Sequence, residues 1–271
     1  MSFRLIYSNR SLRLQTSVDI LDSIITALIV VAMTKELEAP EILGEVDYRT
    51  PLAGLEHVNV IPRDVTILST PPSSSKDLHA DDLSWDELRN IIETNQLQLL
   101  KRRPHDLRNY LRWKHWVEET RTRAGVLEFL VVERLHWVDE ARSSDTVLEV
   151  TPPANPVFMA NVREDLKILK NDFPYALAPG IVHVVVWTKA KIPVAENGDV
   201  TEEARTLIQK YVDTTFTDLF ASTAEAKDGI LWFKNWAALQ SIPALAHFHV
   251  LLHNPDMTRL EQLYNTGGIQ V

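Results

Sequence analysis

"AHFHVLLH", Ala246–His253, sets three histidines in a short and otherwise apolar stretch. Side chains alternate across an extended strand, so residues two apart share a face. On that reading Phe248, Val250 and Leu252 form one face, and His247, His249, Leu251 and His253 form the other. A second stretch, "IVHVVVWTK" (181–189), divides in the same way: Val182, Val184, Val186 and Thr188 oppose Ile181, His183, Val185, Trp187 and Lys189. A strand facing water usually carries Thr, Lys, Glu or Arg. A face mixing imidazole and indole with aliphatic groups suits the wall of a ligand cavity, and histidine titrates near neutral pH. His183, His247, His249 and Lys189 are therefore the candidate catalytic groups.

Buried histidines also serve structure, by bonding one another or a backbone carbonyl. Two histidines at i and i+2, with His183 as a third ligand, have the count for a metal. No Asp or Glu stands beside them and no known metal-binding spacing is present, so the sequence predicts no metal site.

Outward from these strands the pattern predicts an α+β single domain, with a central, mostly antiparallel sheet flanked by helices. Residues 1–80 read as an N-terminal extension. Scattered prolines and "STPPSSSKD" (69–77) mark an irregular arm and a linker. Residues 81–271 read as the domain holding the pocket. Ser84 and Glu87 have capping-box spacing, with Leu83 and Leu88 as the hydrophobic staple. Pro104 opens a helix reaching towards Gly125. "VLEFLVVERLHW" (126–137) is rich in β-branched and aromatic residues and predicts a strand. A short helix is expected after "TPPANP" (151–156), running to about Lys170. Thr201 caps a long helix, and "LWFKNWAALQSI" (231–242) predicts a short one. A last helix falls around 256–265.

With 271 residues, 45% of them hydrophobic, the chain can bury a sizeable core. A formal net charge of −9 argues against nucleic acid as a partner. The absence of cysteine excludes disulfides and thiol chemistry and fits a reducing, cytoplasmic setting. The longest apolar run, Ile24–Met33, is far shorter than the ~20 residues a membrane span needs. It has arginines upstream but acidic residues at its start, which is poor for a signal peptide, and Met33 is an alternative start. No membrane partner is expected. With only eight glycines and no phosphate-cradling motif, no cofactor is expected either. The sequence sets no oligomeric state.

"SWDEL" (84–88), "LLKRRPHDLRNYLRW" (99–113), "LKNDFPYAL" (169–177), "IVHVVVWTK" (181–189) and "WFKNWAALQSIPALAHFHVLL" (232–252) together resemble the fungal N-acetylglucosamine-induced protein family, over about residues 81–255. The family's "NDWPYG" appears here as Asn171–Ala176, with Phe173 for tryptophan and Ala176 for glycine. Its "LEHFH" appears as Leu245–His249, with Ala246 for glutamate. The resemblance implies a soluble fungal protein and supplies no catalytic residues. Its strings point to a substrate-contacting set of Tyr175, Trp187, Trp232, Lys234, Asn235, Trp236 and Gln240. Trp232 and Trp236 lie one helical turn apart and suit a core equally well, whereas Lys234 and Asn235 would gain a core helix nothing. His115 and Glu119 also share a helical face, most simply as a solvated pair.

The leading expectation is a cofactor-independent enzyme for a largely apolar small molecule in fungal secondary metabolism, of cyclase, isomerase or cycloaddition type. A histidine-triad-like nucleotide or sugar-phosphate hydrolase is a second reading. It is weakened because Leu251 stands where that pattern requires a third alternate histidine. A non-enzymatic, amino-sugar-responsive binding protein is the third.

Overall fold

The two histidine-bearing stretches are the central strands of a four-stranded antiparallel sheet. Its strands are β1 (Leu166–Lys170), β2 (Ile181–Thr188), β3 (Ile230–Phe233) and β4 (Ala246–His253), in the order β1-β2-β4-β3. The computed structural model describes residues 40–74, 77–121, 124–139 and 148–271, and Pro40–Val271 form one unit by contact. The apolar run Ile24–Met33 and the alternative start at Met33 lie outside the described residues. Among those described, no helix is long and apolar enough to cross a membrane. The architecture is the mixed α+β class that strand alternation predicts.

Register fixes what each face of the sheet carries. Val185 pairs with His249, Trp187 with His247 and His183 with Leu251 across β2 and β4, so all the odd-numbered groups point one way. The even face, with Ile168, Val184, Val186, Phe248, Val250 and Leu252, is buried in one apolar cluster. Its cover includes α6 (Glu202–Phe216), through Ile208, Tyr211, Val212 and Phe216, and α7 (Met257–Leu263), through Leu260. Thr201 accepts from the Ala204 amide at the start of α6, satisfying a donor that helix geometry leaves unpaired.

The odd face is covered differently. Two apolar clusters lie against it. One gathers Trp85, Leu88, Leu97 and Leu100 over Phe233 and Leu251; the other gathers Leu130, Val131, Leu135 and Trp137 over Val185 and Trp187. The first is anchored by α2 (Trp85–Glu93), which starts with the expected capping box: the Ser84 amide donates to Glu87 Oε2 at 2.8 Å, and the Ser84 hydroxyl accepts from the Glu87 amide. α3 (Pro104–Thr120) opens at its proline as expected and ends short of Gly125.

Four segments depart from the sequence reading. The stretch expected as an irregular arm carries α1 (Pro62–Ser69), whose Leu68 packs with Leu107 and Leu111 of α3. Residues 126–137, expected as a strand, form α4 (Val126–Phe129) continuing into a π-helical turn over Leu130–Arg134. Lying on the sheet face rather than at its edge, this segment buries Leu130, Val131 and Leu135 by helical spacing, and tertiary context overrides its β propensity. The helix expected to reach Lys170 stops after the single turn α5 (Val162–Asp165), because Leu166 and Ile168 alternate into the core as β1. Residues 231–242 are β3 followed by a 3-10 turn at Ala237–Leu239, not a helix. A tryptophan spacing that mimics a helical turn gives way there to pairing with β4.

Candidate functional site

Three of the four candidate catalytic residues meet on the odd face. His183 Nε2 lies 3.0 Å from His249 Nδ1, and the Asn235 amide group donates to His249 Nε2 at 3.2 Å and to the Tyr175 hydroxyl at 3.0 Å. These contacts set the protons. His249 accepts at Nε2, so its proton sits on Nδ1 and points at His183 Nε2, while the Asn171 side-chain nitrogen lies 3.3 Å from both His183 ring nitrogens. His247 donates from Nδ1 to the Leu245 carbonyl at 2.8 Å, leaving Nε2 as its lone-pair nitrogen. Tyr175 accepts from Asn235, so its own hydroxyl proton remains to be donated. Among the described residues Asn235 Oδ1 is buried with no hydrogen-bond partner.

Aromatic stacking holds the rings in place. Phe233 stacks on His249 at 4.9 Å, Tyr175 on His183 at 5.1 Å, and Trp187 tilts against His247 at 4.4 Å. All three imidazoles are less than a tenth exposed. Burial pushes His183 down to about 3, helped by the charge of Arg102. Burial likewise holds His249 well below the usual histidine range, with His183, His247 and Arg102 adding to the effect. His247 is lowered by burial against the opposing pull of its bond to Leu245. At neutral pH all three are uncharged, and they act as hydrogen-bonding groups rather than as cations.

Two cavities adjoin at this cluster. An inner one of about 90 Å³ is walled by His247, His249 and Trp187 together with Trp113, Phe129 and Phe173. An outer cleft of about 250 Å³ runs between α1, α3 and the Ala237–Leu239 turn. Arg102, Tyr110, Tyr175, Asn235 and Ser241 line both, and so form the neck between them. Together the two spaces reach the lower end of ordinary small-molecule pockets, about 300 Å³.

The remaining candidates are dispersed. His183 lines neither cavity and stands behind His249, so its influence runs through that ring. Lys189 sits past the end of β2, its ammonium 5.4 Å above the Trp137 ring and outside both cavities. Trp232 faces the opposite side of the sheet, edge-on to Phe248, and its indole donates to Gln209 Oε1 at 2.7 Å. It falls on an even position of a strand, where the helical reading had placed it beside Trp236. Trp236 donates to Asn95 Oδ1 and lines neither space. Lys234 also stays outside them, its ammonium near the Asn235 carbonyl and its pKa lowered by burial. Gln240 lines the outer cleft and donates to that same carbonyl at 2.9 Å. His253 completes the opening octapeptide by stacking on Trp85, at the far end of β4. Among the described residues no group of three or more His, Asp or Glu side chains is arranged to hold a metal ion.

Several wall residues escape the alternation argument because they come from other elements. Tyr110 and Trp113 lie three apart on α3 and look like ordinary core positions, yet both face the inner cavity beside Phe173. Arg102 is partly buried at the neck. Its only sequence signal is a pair of arginines ahead of Pro104.

The chain is similar to several known proteins. N-acetylglucosamine-induced protein 1 of Candida albicans is 31% identical over 210 residues, covering 74% of this chain and 80% of that protein. The uncharacterized protein YPL067C of Saccharomyces cerevisiae is 28% identical over 174 residues, 63% of this chain and 79% of its own length. A solved structure titled "Crystal Structure of HTC1" aligns with a TM-score of 0.47 and 26% identity, over 67% of this chain and 88% of that one. The family described as "Protein of unknown function (DUF3605)" matches residues 84–253, a span that takes in all four strands and both cavity-lining histidines, and the chain belongs to that family.

Proposed function

We propose that this chain is a cofactor-independent enzyme that rearranges a small, largely apolar molecule, by cyclisation, isomerisation or cycloaddition. The observation carrying this reading is the set of buried, uncharged imidazoles at an aromatic cavity, linked through an amide with a spare acceptor. Bond reorganisation within one molecule needs no co-reactant. It needs a shaped apolar space and a few preorganised hydrogen-bonding groups that polarise a carbonyl or steady developing charge. The Tyr175 hydroxyl offers a donor, while His247 Nε2 and Asn235 Oδ1 offer acceptors. His249 fixes Asn235, and His183 fixes His249. Lys189, Trp232 and Trp236 have no part in this reading. Nor does a nucleotidyl-transfer nucleophile: His249, the alternate-position histidine best placed for one, has both ring nitrogens engaged.

Thermal-shift screening with polyene and cyclic polyketide- or terpenoid-like compounds, nucleotides and amino sugars tests the ligand class. Stabilisation by the first group supports the reading; stabilisation by nucleotides or amino sugars alone overturns it. With a turned-over compound in hand, Asn235→Ala is expected to reduce kcat about a hundredfold, as loss of a preorganised polar contact does. His183→Ala should do less, since it acts through a second ring. Unchanged turnover in both variants, with circular dichroism unaltered, would remove the mechanism.

A further inference from the structure

The outer cleft is lined by Arg63, Lys101, Arg102 and Lys114 against a single carboxylate, Asp64, in a chain whose formal net charge is −9. Most of these cations are occupied or far out. Arg63 donates to the Gln98 and Leu100 carbonyls, Lys114 lies 3.6 Å from Glu118, and Lys101 is exposed. Arg134, on the inner cavity, is paired with Asp172 at 2.9 Å.

Arg102 differs from its own neighbour. Arg103 is consumed by Asp82, with Nε and Nη2 each bonded to one carboxylate oxygen at 2.7 and 2.6 Å, and it also donates to the Leu177 carbonyl. Arg102 has no carboxylate in ion-pairing range among the described residues. Its Nε donates to the Phe173 carbonyl at 3.0 Å, and its guanidinium lies 4.1 Å over the Tyr110 ring. That bond and that stack fix the plane of the fork without neutralising its charge, and both Nη groups remain for a ligand. The residue stands in the neck between the cavities, beside Asn235 and Tyr175. A fixed, partly desolvated, uncompensated guanidinium is the usual receptor for a planar oxyanion, which it grips with two parallel N–H bonds.

We infer that Arg102 receives an oxyanion, a carboxylate or a phosphate, carried on the apolar molecule whose body enters the inner cavity. This rests on the reading of that cavity as a small-molecule site and adds the charge of the ligand. The chemistry has an internal consequence. The positive charge of Arg102 is one of the influences that hold His183 and His249 uncharged, so an anion bound there would relieve it and make both rings more basic when the ligand is present.

Isothermal titration of the full chain with benzoate, phenyl phosphate and the uncharged benzamide tests the inference. At least one anion should bind about tenfold or more tightly than benzamide, the margin of one charge-assisted contact. Preference for benzoate identifies a carboxylate receptor, and preference for phenyl phosphate a phosphate receptor. Arg102→Gln should abolish the margin while benzamide binding stays, and that retained binding is itself the check that the variant folds. Arg102→Lys should keep only part of the margin, because the ammonium has no fork. Should Arg102→Gln lose benzamide as well, Arg102→Lys decides: an undiminished margin there overturns the inference and a reduced one supports it. Benzamide binding as tightly as both anions overturns the inference and leaves the small-molecule cavity standing, as does a margin that survives Arg102→Gln. Failure of all three compounds at millimolar concentration removes both readings.

Discussion

The two faces of one sheet are built to opposite rules. On the even face Ile168, Val184, Val186, Phe248, Val250 and Leu252 form one apolar cluster, and α6 packs into it through Ile208, Tyr211, Val212 and Phe216. On the odd face two apolar clusters stop short of each other, and imidazoles, an amide and a phenol fill the interval. Polar groups withdrawn from water cost stability unless they are bonded, and one of these, Asn235 Oδ1, is not. The even face therefore carries the fold, while the odd face keeps polar groups that stability alone does not require.

The sharpest way to break this contrast is to cut into the even face. Phe248→Ala empties a fully buried ring position and should cost about 3–5 kcal/mol in denaturant unfolding. A loss below about 1 kcal/mol would mean that this face is not the main core. Acid acts on the odd face instead. His183 has its folded-state pKa depressed to about 3 from 6.5, so below pH 6.5 the unfolded chain takes up a proton that the folded chain refuses. Stability contributed by the neutral ring is thus complete above about pH 6.5 and is lost as pH falls towards 3. From pH 7 to 5 this amounts to about 2 kcal/mol for His183 alone, and His249 and His247, shifted in the same direction, add to it. His183→Leu should flatten the profile; an unchanged slope would place the acid sensitivity elsewhere. The smallest effect should come from Trp232→Phe. It removes one partly exposed bond to Gln209 for about 0.5–1 kcal/mol and leaves ligand binding as it was. A binding loss there would erase the functional distinction between the faces.

Alternation made the central half of this design readable. Residues 181–188, rich in β-branched side chains, and 246–253 are eight-residue stretches divided cleanly by parity, so their strand character and the face each histidine takes are legible in the sequence, whereas the pairing that brings His183 beside His249 is seen only in the sheet. The capping box at Ser84 and the cap at Thr201 were equally legible, because both are local hydrogen-bond arrangements. The edges were not. Leu166–Lys170 and Ile230–Phe233 are four or five residues long and become strands through their neighbours. The misreading of 231–242 as a helix then put Trp232 on the wrong side. Leu130–Arg134 shows the reverse error, a β-prone composition drawn into helical turns by the surface beneath it. Asn235 was reached by its polarity. Arg102 was not, because a cation announces itself only when the absence of a counter-charge can be seen in space.

Interleaving these two rules along the same strands has an evolutionary consequence. Phe248, Val250 and Leu252 hold the scaffold, while His247 and His249, one residue along the same strand, present the opposite face. A lineage can then try new guest molecules on an inherited frame, one alternate residue at a time.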